Sequence, residues 1–323
     1  MMITLPVFSA DEAKRAKILL ATRVAAMMGR KLEEGDWGSV YCRAKGIPEA
    51  GWSNLHIDVN YLGLGVEHKL LRCGQLNGRS IKSVCGTTLM HPAATRSIRI
   101  DDTTAPPNGV MADVFRQYAE LMEARTEAVR KGAQGKTPDM RIGWLLWEDN
   151  LTEFLYFEEK MLPPDPTLFY AEWNETAARG VRKPSRSLWI FEKDTNQKRY
   201  SVTTSAGIKI QPYFDVPAPS DSNLSYFRVQ SEPLDTETIQ LWVAASTALA
   251  LQHHLGGLTR ELVSEAVLNL AQKGAHQMTP ANPEHDLAVP VPISIVAHTA
   301  LMSLWEGAVS DEHRAQLLLK ELS

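Results

Sequence analysis

Cysteine is scarce, with only Cys42, Cys73 and Cys85 in 323 residues. Three scattered thiols, with no CxxC pair and no Cys/His cluster, supply neither a disulfide framework nor a zinc site, and a reduced setting is the simplest reading. Long apolar runs are also missing. The most apolar stretch, Ile239 to Leu251, falls short of the roughly 20 residues that cross a bilayer and is interrupted by Gln240, Ser246 and Thr247. Met1 to Glu12 has no basic segment followed by an apolar one, so no signal peptide is expected there; a cytoplasmic protein without a membrane partner is anticipated. Gly63-x-Gly65 lacks the further glycine and the lysine of a phosphate loop. No internal repeat or low-complexity segment stands out. His276, His285, His298 and His313 have no ligand spacing, and His253-His254 reads as charge at a helix C-terminus.

What is present is an ordinary globular composition, 44% hydrophobic and 22% charged, with a net charge of −4. That balance excludes a general coat for nucleic acid but not a local basic groove. The basic residues are unevenly placed. Residues 69 to 99 carry Lys69, Arg72, Arg79, Lys82, Arg96 and Arg99 with no acid among them. Residues 179 to 199 carry seven basic residues against Glu192 and Asp194. Each cluster is read either as a solvated face or as a phosphate-facing surface.

Along the chain, Asp11 to Leu32 has a stripe of Ile18, Ala21, Ala25, Met28 and Leu32 at helical spacing, and Gly35 is expected to end it. Leu55 to Val59 alternates as a strand, and Val66 to Arg72 reads as its return strand after a glycine turn. Ser80 to Val84 and Ser97 to Ile100 are further strand candidates. Val110 to Lys131 reads as a second helix, and Met140 to Trp147 as a buried strand. The aromatic-rich middle leads to a strand over Gly207 to Phe214. Beyond it, helices are expected over Thr236 to Leu255 and Arg260 to Lys273, then a proline-rich loop over His276 to Pro292 and helix over Ser294 to Leu322. The expectation is an α/β core with a largely helical C-terminal part and a boundary near residue 220.

The chemistry concentrates between Asp58 and Lys69. In a strand, Glu67 and Lys69 share one face while Val66, His68 and Leu70 share the other. A tight hairpin brings Asp58 beside them. Two carboxylates and an ammonium are the set that phosphodiester hydrolysis requires: hard oxygen ligands for Mg²⁺ and a cation for charge on the phosphate. An ExK triplet alone says little, and an exposed hairpin with a surface ion pair remains the alternative. Its setting in a strand–turn–strand unit, with an Asp nine positions earlier, a helix before and an acid-free basic stretch after, adds weight.

With Asp58 and Glu67-His68-Lys69, the first 150 or so residues resemble the PD-(D/E)xK nuclease superfamily, in particular type II restriction endonucleases. The resemblance implies an αβββαβ core with a mixed sheet over residues 1–150, metal ligation by Asp58 and Glu67, and Lys69 as the catalytic lysine. Ile57 departs from the family's proline. Members often add an acid from the preceding helix; Glu33, Glu34 and Asp36 are placed to supply one, and the role is assigned to Glu34. On this reading the protein is a Mg²⁺-dependent endonuclease acting on double-stranded DNA as a homodimer. Residues 151–220 would contact DNA and residues 221–323 would support dimerisation. Arg72, Gln75, Arg179, Arg182, Lys183 and Arg186 are the candidate DNA-contacting residues. Trp147, Trp173, Trp189, Tyr200 and Tyr213 are read as core, or as part of a DNA-facing cleft. The competing hypothesis is a non-catalytic binding module with a structural hairpin over residues 55–72.

Overall fold

A computed structural model describes residues 3–27, 32–48, 57–74, 76, 78–93, 98–148, 150–177, 184–204, 208–273 and 287–306. The chain opens with β1 (Thr4–Leu5) and helix α1 (Ala10–Met27), in which Leu20, Ala21 and Val24 are buried. Gly35 was expected to close this region, but it lies inside a second helix, α2 (Glu34–Lys45). Glu33 and Asp36 form a reciprocal capping box that satisfies the first amides of α2, and left-handed Gly46 ends it. The Glu-x-x-Asp spacing was the available signal.

The hairpin follows as β2 (Val59–Tyr61) and β3 (Leu64–Arg72), paired Val59 to Val66 and Tyr61 to Leu64. The turn is Leu62-Gly63, with φ of 48° and 92°, one residue earlier than the Gly63-to-Gly65 turn expected. Of the anticipated first strand, Leu55 and His56 lie outside the described set, and Ile57 and Asp58 precede the strand, which begins only at Val59. Ile81–Val84 is a 3-10 turn, not a strand, because Ser80 caps it through the Lys82 amide. Ile98 to Ile100 is irregular, and the neighbouring strand is instead β4 (Thr88–Met90).

Helix α3 (Pro107–Gly132) then crosses to β5 (Asp139–Trp147), which lies parallel to β3 from Leu64–Asp139 to Arg72–Trp147. Parallel neighbours need such a crossover, and α3 supplies it. Next come β6 (Glu153–Lys160), β7 (Phe169–Thr176), β8 (Ser185–Glu192), β9 (Lys198–Thr203), β10 (Lys209–Asp215), β11 (Ser225–Arg228) and β12 (Glu232–Pro233). The helix expected from Thr236 is in fact β13 (Thr238–Ala244) followed by α4 (Ala245–Leu255), which left-handed Gly256 ends. After α5 (Arg260–Lys273) comes β14 (Ala288–Ser294), where a proline-rich loop was expected, and then α6 (Ile295–Glu306).

The protein is thus mixed α/β with three sheets. The first has the order β1-β6-β5-β3-β2, with β11 also on β6. The second is β4-β10-β9-β8-β7 and the third β12-β13-β14. On one face of the first sheet, Val66, Leu145, Tyr156 and Phe154 pack with Leu20, Trp37, Val40 and Tyr41 from α1 and α2. On the other, Trp144, Leu146 and Phe157 meet Phe214 and Val216, while α3 packs against the inner face of the second sheet. Trp144 and Phe214 stack with ring centroids 3.8 Å apart, joining the two sheets. The C-terminal part therefore carries a sheet beside its helices. No described helix is long and apolar enough to cross a membrane.

Candidate active site

Strand alternation fixes which side chains of β3 meet. His68 faces α2 and is fully buried among Trp37, Tyr41 and Tyr156. Burial holds its pKa down to about 3, with the charge of Lys69 acting the same way, so the ring is neutral. Tyr156 Oη donates to Glu158 Oε1 at 2.8 Å and lies 3.3 Å from His68 Nδ1. With the hydroxyl proton committed to Glu158, Nδ1 carries the imidazole proton and donates. Opposite His68 in the register is Gly143, where an added Cβ would fall 2.2 Å from Tyr156 Oη, so the polar contact depends on the missing side chain.

Glu67 and Lys69 face the other way, and both are buried at 6% and 9% exposure. Lys69 Nζ donates to Glu67 Oε1 at 2.7 Å. Asp58 stands just before β2, beside Glu67 across the hairpin, and its Oδ2 accepts from the His68 amide at 2.6 Å. The structure therefore brings together the three residues that the sequence singled out. Burial, then the charge of Glu67, push the Asp58 carboxyl up to about 7; the His68 amide and Lys69 oppose the rise.

Glu34 lies exposed in the first turn of α2, and its charge also raises the Asp58 pKa. Arg72 is on β3 but on the His68 face, directed away from Glu67 and Lys69. Arg186 belongs to β8, 4.6 Å above the Trp173 ring and 3.5 Å from Glu175. Gln75, Arg179, Arg182 and Lys183 lie outside the described residues.

Three further residues lie within electrostatic reach of Glu67 and Lys69. Arg125 of α3 places a guanidinium nitrogen 3.2 Å from Glu67 Oε1, the oxygen that also takes Lys69. Tyr118, two turns earlier, is buried, and the charges of Arg125 and Glu67 both reach it. His91 follows β4, with its ring 5.8 Å from Trp144; burial, then Lys69, lower its pKa to about 4. The signal for Arg125 was its register, a cation in the inward stripe of Val114, Tyr118 and Val129. His91 gave no signal, since it reaches the pocket through the pairing of β4 with β10.

The donor chemistry suits a hard divalent cation held by few protein ligands. Among the described residues nothing else hydrogen-bonds to Asp58 Oδ1 or Glu67 Oε2. No described cluster of three or more His, Cys, Asp or Glu side chains has metal-holding geometry. Two carboxylates with water completing the shell is a Mg²⁺ arrangement. The mutual repulsion that raises the Asp58 pKa is what such a cation would relieve. Compared with known proteins, the chain matches no family model, no curated protein and no solved structure.

Proposed function

We propose that the protein is a Mg²⁺-dependent endonuclease that hydrolyses double-stranded DNA, of the restriction type and acting as a homodimer. The observation that carries this reading is the buried convergence of Asp58, Glu67 and Lys69 on one hairpin, with α3 crossing from that hairpin to a parallel β5. Helix, hairpin, crossover helix and parallel strand support the resemblance to the PD-(D/E)xK superfamily, although the third strand of its αβββαβ order has no counterpart in this sheet, since β4 joins the second one.

Asp58 and Glu67 are the residues that would hold Mg²⁺, which when bound supplies Lewis-acid charge beside the phosphate. The chain's own groups do the rest. Lys69 and Arg125 place two cations on one side of Glu67, so a phosphate entering there meets preorganised positive charge in a water-poor pocket. The His68 amide fixes the Asp58 carboxylate toward Glu67, and the neutral His68 ring anchors β3 from behind. Arg125 remains partly exposed, so the pocket opens on the α3 side.

The test is incubation of the purified protein with plasmid and genomic DNA, with Mg²⁺ and with EDTA, alongside Lys69→Ala. Discrete fragments that need the metal and fall by on the order of 10²-fold or more in the variant support the reading. Cleavage that survives Lys69→Ala sinks the catalytic assignment. Salt-sensitive binding without cleavage would favour a binding module instead.

A further inference from the structure

The second sheet has one face against α3 and another that no described helix covers. The register assigns residues to the two faces. Ala171, Trp173, Leu188, Ile190, Tyr200, Val202 and Ile210 turn inward to the core. Tyr170, Trp189, Phe191 and Tyr213 turn outward, with Lys198 and Lys209 among them. The aromatics flagged by the sequence thus divide: Trp147, Trp173 and Tyr200 pack in or against the core, while Trp189 and Tyr213 stand on the open face.

From this face we infer a binding site for single-stranded nucleic acid, separate from the Asp58 pocket. Lys198 Nζ lies 3.8 Å from the Trp189 ring centroid and 4.9 Å from that of Tyr213, so both rings offer a π-face outward, and a side-chain cation now covers it. A ring face that accepts a cation equally accepts a stacked base, and the displaced ammonium is then placed for the adjoining phosphate. Tyr170 and Phe191 stack 5.2 Å apart on the next strands and extend the aromatic surface. The charge is complementary to a phosphate backbone. No described carboxylate pairs with Lys198 or Lys209, and of the two acids at the outward register positions, Glu172 and Asp215, the second is held by Arg199 at 2.9 Å. Beside the rings stand Ser187 and Thr203, neutral groups that do not repel phosphate. An unstacked strand fits such an open sheet, because a duplex hides the base faces that the rings would meet.

The experiment uses full-length Lys69→Ala protein in EDTA, so that neither cleavage nor metal enters, and plasmid cleavage by the unaltered chain judges the nuclease reading separately. Anisotropy of a labelled oligothymidylate of roughly 20 nucleotides should show binding that weakens with salt, and Trp189→Ala and Tyr213→Ala should each raise Kd about tenfold. Ultraviolet crosslinking of the same oligonucleotide should map to peptides of β8 or β10. The crosslink map requires no substitution on this face, and so it decides the matter if Trp189→Ala fails to fold; Lys198→Glu, a milder change, should also weaken binding. No single-strand binding, unchanged Kd in folded variants, crosslinks elsewhere, or self-association through Trp189 in place of oligonucleotide binding would each overturn the inference.

Discussion

At the scale of single residues, Asp58 makes the sharpest claim. Its carboxyl is raised from 3.8 to about 7, so the fold holds its proton more tightly than the unfolded chain does. The protonated fold is favoured at low pH, and stability falls as pH rises from about 4 to about 7. Asp58→Asn cannot ionise and escapes that loss. Without metal, the variant should match the unaltered protein near pH 4 and melt several degrees higher at pH 8. Mg²⁺ should raise the melting temperature of the unaltered chain at pH 8 and leave Asp58→Asn unmoved, since a ligand stabilises only the state that binds it. A variant that gains as much from Mg²⁺ as the parent would remove Asp58 from the metal site. Asp58, Glu67 and Lys69 were legible in the sequence because period-two alternation and one turn suffice to relate them. Arg125 showed only as a cation in the inward stripe of its helix, with nothing to say what it meets, and His91 not at all, because the crossover and the second sheet bring them in.

At the scale of elements, the hairpin depends on a turn that the sequence only half optimises. Leu62 and Gly63 both adopt positive φ, which glycine accepts readily and a branched apolar residue does not. Leu62 is 42% exposed, so its side chain gains little packing in return. Leu62→Asn should stabilise the protein by about 0.5–1 kcal/mol, measured by urea unfolding, with cleavage unchanged. A loss of stability would mean that Leu62 makes contacts beyond this turn. Strand β13 shows how an element was misread. Ile239, Leu241 and Val243 pack on the helices while Trp242 faces the first core, a period-two pattern. It runs without a break into the apolar α4, so one long helix seemed simpler. Strand β14 was hidden by Pro290 and Pro292. The side chain of Gln230 takes both the amide and the carbonyl of Trp242, so the pair Trp242–Pro290 makes no backbone bonds between strands. A proline without its N–H costs nothing there, on an edge strand.

At the scale of the whole molecule, the segment after residue 220 is woven into the first sheet, a relation that no local pattern announces. Strand β11 pairs with β6, and Phe227 and Val229 enter the core beneath α1. The Ala288 amide donates to Thr22 Oγ1 of α1 at 2.8 Å. Glu153 gathers the long-range ties. It accepts from the Ser80 hydroxyl, the Ile81 amide and the Tyr226 hydroxyl, and pairs with Arg228 at 2.8 Å. Burial raises its pKa, but these partners outweigh burial and leave it lowered. The stability it contributes is therefore present at neutral pH and lost as pH falls below about 4.5. Glu153→Gln should cost about 2 kcal/mol at pH 7, and progressively less as pH falls below about 4.5, where the stability from the lowered carboxyl is lost. A fragment ending at residue 220 keeps Glu153 but loses Tyr226, Arg228, β11 and the strands beneath α1. It should unfold without a cooperative transition in urea and cut no DNA, even though Asp58, Glu67 and Lys69 are all retained. A fragment that melts cooperatively would instead make the C-terminal part an appendage, and would move the support of the Asp58 pocket wholly onto α2, α3 and the second sheet.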